Sequence, residues 1–214
     1  MTGDKVRVWD LPVRLFHWML VLLVAALWGT HELHMMDVHV LLGQAMLGLI
    51  LFRLIWGLIG SSTARFSSFL RGPSAVLAYL RAPAGGFGHN PLGGWSVVAM
   101  LAVLGVQVGL GLFASDEDGE HYGPLSHLVS YDSARTLAER HETFFNILLV
   151  LIGVHLGAIL YYRFVKREDL VTPMVTGRRE PIVSGETLAA APAWRFWLAA
   201  ALAIGITLAI GNFL

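Results

Sequence analysis

Five apolar runs, each close to the length that crosses a lipid bilayer, leave few folds open to this chain. They cover roughly residues 15–30, 39–60, 92–115, 143–162 and 196–214. A spanning helix takes about 20 such residues. The first run is the shortest, but flanking residues from Leu11 extend it. No small-residue cleavage site follows it, so it reads as a retained helix and not a signal peptide. A mean hydropathy of +0.64 and a charged fraction of 14% point the same way, far from a soluble globular composition. The expected fold class is an all-α integral membrane protein with five transmembrane helices.

The charges between the runs set a direction. Lys5, Arg7 and Arg14 precede the first run, and the short turn after it carries no Lys or Arg. Arg65, Arg71 and Arg81 follow the second run. Asp116, Glu117, Asp118, Glu120, Asp132 and Glu139 outnumber Arg135 and Arg140 after the third. Arg163, Lys166, Arg167, Arg178, Arg179 and Arg195 follow the fourth. Basic residues therefore alternate sides, which by the positive-inside rule puts the N-terminus in the cytoplasm and the C-terminus outside. The segment 178–192, with its Gly, Pro and Ala, reads as a cytoplasmic linker. A formal net charge of zero gives no sign of nucleic-acid binding.

Histidines carry the functional signal. Ionisable groups within a membrane are costly and mark function. His17, His39, His141 and His155 each sit in or at the end of an apolar run. His141 and His155 are 14 residues apart, close to four helical turns, so both project to one side of a helix about 21 Å apart along its axis. On the topology above, His17 and His155 lie at the cytoplasmic depth and His39 and His141 at the outer depth. The chain has no cysteine, which excludes disulfides, iron–sulfur clusters, thiolate zinc sites and covalent haem attachment. Two non-covalent haems are expected, one between His17 and His155 and one between His39 and His141. Bis-histidine ligation leaves no open iron position and suits electron transfer.

Other residues fit around this pattern. Arg53 lies 14 residues after His39 within an apolar run, where a buried charge needs a partner. It is read as a contact for a haem propionate rather than as a side chain reaching back to the interface. Gly43, Gly153 and Gly157 lie near the histidines, where they serve either macrocycle clearance or ordinary helix packing. His31 and His34 compete with His39 as the outer ligand but lie in a polar turn. His121 and His127 belong to the acidic outer loop. Asn90-Pro91 reads as a helix start, which makes His89 a capping or propionate-contacting group. Gln107 is expected to hydrogen-bond within the bundle, and Met19 and Met46 to pack in its interior. Trp18, Trp28, Trp56, Trp95, Trp194 and Trp197 read as an interfacial belt.

Four segments together resemble a known family. They are V-R-V-W-D-L-P-V-R-L-F-H-W (Val6 to Trp18), H-V-L-L-G-Q-A-M-L-G-L-I-L-F-R-L-I-W-G (His39 to Gly57), G-H-N-P-L-G (Gly88 to Gly93) and H-E-T-F-F-N with H-L-G (His141 to Gly157). They are similar to the bacterial di-haem cytochrome b561 type, which includes the cytochrome b subunits of nickel–iron hydrogenases. The resemblance implies a four-helix haem-binding bundle over residues 1–179; the apolar pattern beyond it gives a linker at 180–192 and a fifth transmembrane helix at 193–214, expected to pack outside the bundle. The resemblance also implies two b haems on His17, His39, His141 and His155, in a bacterial inner membrane. It further implies electron exchange between the quinone pool and a redox partner, such as a periplasmic c-type cytochrome or a dehydrogenase or hydrogenase. Two other readings compete. One is a superoxide:quinone oxidoreductase drawing its anion to Arg135 and Arg140. The other is a non-redox anchor or transporter whose histidines only bond helices together.

Overall fold

The computed structural model describes residues 5–82, 87–116, 118–181 and 187–212. Glu117 of the acidic loop, residues 182–186 of the linker and the last two residues of the fifth run lie outside that set. Five helices are long and apolar enough to cross a membrane: α1 (Leu11–Glu32), α2 (Met36–Ile59), α5 (Pro91–Phe113), α6 (Tyr131–Tyr161) and α8 (Ala193–Gly211). A π-helical turn, Tyr162–Lys166, prolongs α6. Short helices α3 (Phe66–Phe69) and α4 (Pro73–Arg81) lie between α2 and α5, and α7 (Val171–Thr176) lies between α6 and α8. The only sheet among the described residues is a ribbon of β1 (Val6–Arg7) and β2 (Arg178–Arg179), with Val6 opposite Arg179.

One helix boundary and one helix cap differ from what the sequence leads one to expect. Helix α6 starts at Tyr131, well before the apolar run at 143, so Asp132, Arg135, Glu139 and Arg140 are helical rather than loop residues. The Ser130 hydroxyl accepts the Ser133 N–H at 3.3 Å and caps the start. Asp132 then sits where the helix dipole favours an anion, and Ala, Leu, Glu and Arg carry the helix on at little cost. Helix α5 opens as expected, with Pro91 first, but its cap is Asn90, whose Oδ1 accepts the Gly93 N–H at 2.7 Å. His89 is therefore not the capping group.

The chain divides into two compact units. The first comprises the described parts of 1–16, 53–99 and 152–199. Its core is organised by Asp10, which the sequence reading passed over. Asp10 is buried at 8% exposure. Its Oδ1 accepts the Val13 N–H at 2.8 Å, capping α1, while its Oδ2 accepts Trp56 Nε1–H at 2.9 Å and the Ser61 hydroxyl at 2.6 Å. One carboxylate thus caps one helix and ties it to the end of another. Trp56 is accordingly a core residue at 3% exposure and not part of an interfacial belt. Gly177 ends α7 with φ of +80°. Its carbonyl accepts the Val8 N–H at 2.8 Å, and a Cβ there would meet the Trp9 carbonyl oxygen at 2.9 Å. Glycine is required on both counts.

The second unit comprises the described parts of 17–52, 100–151 and 200–214. Here α8 lies against α2: a Cβ on Gly48 would stand 3.0 Å from Thr207 Oγ1, and one on Gly211 would stand 2.9 Å from Gln44 Oε1. Leu202, Ile204, Ile206 and Leu208 on α8 remain exposed, as a lipid-facing surface requires. Met46 is buried at 1% exposure. Met19 is 50% exposed, so it faces outward rather than packing inside. Its place on α1 follows the helical period, which carries it off the buried stripe.

Candidate functional site

The second unit encloses a cavity of about 410 Å³, lined mainly by apolar side chains of α1, α2, α5 and α6, with His39 and His141 on its wall. The two rings stand 6.2 Å apart between centroids, at 82° to each other. Each ring is fixed through Nδ1. That of His39 donates to the Leu27 carbonyl at 3.0 Å, and that of His141 to the Gln107 carbonyl at 2.8 Å. A backbone acceptor at Nδ1 places the proton there and leaves Nε2 as the unprotonated donor. The separation suits one metal ion between two rings, since two metal–imidazole bonds of about 2 Å plus the ring radii span about 6 Å.

Helix α5 carries no candidate ligand, yet it shapes the site. Gln107 orients His141 through its main chain. Its side-chain Oε1, expected to be bonded within the bundle, has no hydrogen-bond partner among the described residues. Gly111, one turn on, lets the imidazole in, because a Cβ there would lie 2.9 Å from His141 Cε1. Gly43 also lines the cavity, and a Cβ on it would meet nothing within 4 Å. The space beside Gly43 therefore belongs to the cavity rather than to a helix contact. Gly111→Ala is expected to displace the His141 ring, lowering stability by about 1–3 kcal/mol and shifting the haem absorption bands; thermal melts and visible spectra test it.

Polar groups gather at one side of this cavity. The segment after α5 folds back through a Ser115–Tyr122 bridge. Asp116 there accepts the Glu120 and His121 N–H groups and His121 Nδ1–H. Burial alone would raise the Asp116 pKa, but these hydrogen bonds hold the carboxylate below its ordinary value. The other nitrogen of His121 lies 3.6 Å from the Asp37 carboxylate at the start of α2. Arg135, Glu139 and Glu142 also line the cavity, whereas Arg140 does not. His31 reaches the wall too, its ring 6.1 Å from that of His39, and it is exposed. His34 takes the left-handed conformation that ends α1, with φ of +54°. Neither has the carbonyl anchor of His39 and His141. His31→Ala and His34→Ala are each expected to keep full haem content, and loss of haem from either would give that residue a place in haem binding.

His17 and His155 fall in different units, so the structure groups His39 with His141 and leaves the other pair to the sequence pattern. His17 packs edge-on against Trp18 at 5.0 Å. Arg53 belongs to the first unit and is 2% exposed, so it does not reach back to the interface. Its Nη1 donates to the Ala64 carbonyl at 3.3 Å, and its guanidinium stands 5.0 Å from the Phe66 ring centre and 5.9 Å from that of Phe16. His89, in the same unit, lies between Trp9 and Phe69, each ring at 4.6 Å. Burial, and after it the charge of Arg53, pushes its pKa down to about 3, so the ring is neutral at physiological pH.

Five membrane-spanning helices and a cavity walled by two anchored imidazoles define a multi-pass membrane protein built to hold a prosthetic group. The family model described as prokaryotic cytochrome b561 matches residues 8–177. The chain belongs to the prokaryotic cytochrome b561 family, and is thus a membrane b-type cytochrome of electron transfer that binds haem b. No curated protein matches the chain, and no solved structure does.

Proposed function

We propose that this protein carries two b haems, each held by two histidines, and passes electrons between the membrane quinone pool and a redox protein on the periplasmic side. The observation that carries the reading is the His39–His141 pair, two rings 6.2 Å apart in an apolar cavity with both Nδ1 atoms bound to carbonyls. His39 and His141 would hold the haem of this cavity, which would supply one-electron chemistry there. The protein's part is to fix the imidazoles, exclude water with apolar side chains and set the local charge. His17 and His155 form the second pair, on the matching of their depths along the sequence. Arg53 contacts a propionate on that side. The arrangement of basic loops supports a bacterial inner-membrane location with the N-terminus cytoplasmic and the C-terminus periplasmic.

A cation-bearing redox partner fits the outer side, where Asp37, Asp116, Glu139 and Glu142 lie on or beside the cavity wall. The same carboxylates oppose attraction of superoxide, against which Arg135 is the one arginine on the cavity wall among the described residues. Membership of a cytochrome family disfavours a non-redox anchor or transporter. Reduction of the purified protein by a quinol analogue, followed by oxidation by a basic c-type cytochrome at rates that fall with added salt, is the expected result. Failure of quinol to reduce either haem would overturn the quinone assignment. A partner reaction that speeds up with salt would overturn the docking assignment.

A further inference from the structure

We infer that Arg53 and His89 form a two-point clamp for a carboxylate, supplied by a propionate of the haem proposed on His155; this rests on the proposed function and deepens it. Arg53 is a buried cation with too few partners. Guanidinium has five N–H donors, and the described structure gives it one acceptor, the Ala64 carbonyl at 3.3 Å. Asp10 acts on it as a counter-charge, but no contact ion pair joins them among the described residues. The Asp10 oxygens are already committed to Val13, Trp56 and Ser61. Phe16 and Phe66 flank the guanidinium with ring faces, at 5.9 and 5.0 Å to their centroids. An unpaired charge at this burial is strongly unfavourable, so the site is built for an anion that arrives with the cofactor.

His89 is the second, independent sign. Its Nδ1 is sealed from solvent and has no hydrogen-bond partner among the described residues. The ring is held by Trp9 and Phe69, and the nearby Thr63 hydroxyl is spent on the Val8 carbonyl at 2.6 Å. Phe66, beside Arg53, is in edge contact at 5.8 Å with Phe69, which packs on His89, and the Arg53 charge acts on the His89 ring. A carboxylate has two oxygens and a full negative charge, so it can accept from a guanidinium and an imidazole N–H at once while neutralising the buried cation. A lipid phosphate offers similar chemistry, and the experiment separates the two sources.

The test is redox-difference infrared spectroscopy on the holoprotein, prepared with haem b carrying ¹³C at its propionate carboxyls, together with redox titration of both haems. In the wild type, carboxylate bands that move with the label are expected. In Arg53→Gln and in His89→Phe one set of these bands should shift, and the midpoint potential of one haem should fall while the other stays. Loss of a nearby cation disfavours the reduced, less positive iron, which sets that sign for Arg53. Arg53→Lys and His89→Gln, which keep a charge or an N–H donor, should restore part of each shift and guard against misfolding. Labelled bands untouched by either substitution would overturn the clamp. So would phosphate bands that respond in their place, since these would make lipid the ligand. A wild type that binds fewer than two haems would instead overturn the proposed function from which the clamp follows.

Discussion

His141→Ala is expected to halve the haem content, from two to one per chain, and to leave the remaining haem with its own spectrum and potential. The ring it removes is fixed by the Gln107 carbonyl at 2.8 Å and packed against Gly111. Without it His39 is the one carbonyl-anchored imidazole left on the cavity wall among the described residues, and one imidazole holds haem far less tightly than two. His155→Ala is the reciprocal variant, expected to empty the other site only. Haem quantitation on both variants decides the matter: loss of both haems from His141→Ala would mean that the pairing is wrong or that the helices no longer assemble.

Asp10→Ala is expected to cost about 3 kcal/mol or more of stability. A lost helix cap contributes about 1 kcal/mol. Two buried donors, Trp56 Nε1–H and the Ser61 hydroxyl, lose the carboxylate acceptor, which contributes about 1–3 kcal/mol each. Arg53 also loses its counter-charge. Asp10→Asn keeps an acceptor oxygen and should fall between alanine and the wild type. Thermal unfolding in detergent, followed by circular dichroism, measures the order; an alanine variant as stable as the wild type would remove Asp10 from its organising role.

The membrane-spanning helices were legible because length and hydropathy alone specify them, and Pro91 and the Asn90 cap marked the start of α5 on chemistry that is local. The start of α6 was not, since its first turns are polar and look like loop until Ser130 is seen to cap them. Helices α3 and α4 and the two-residue ribbon were missed because segments so short carry no period of their own. The sequence pairs His39 with His141 by expected depth, and the structure brings their rings within 6.2 Å; their fixing by Leu27 and Gln107 is hidden, as backbone carbonyls leave no mark in a sequence. Asp10 could have been found: an aspartate one residue before Leu11-Pro12 at the edge of an apolar run is a cap signature. Arg53 stood out as a charge in an apolar run. Its aromatic flank and its shortage of acceptors needed the fold.

The most direct test of the central claim is a reduced-minus-oxidised visible spectrum with pyridine haemochrome quantitation on the detergent-purified protein. Two low-spin b haems per chain, both reducible by a quinol analogue, are the predicted result; a well-folded preparation with one haem or none would contradict it.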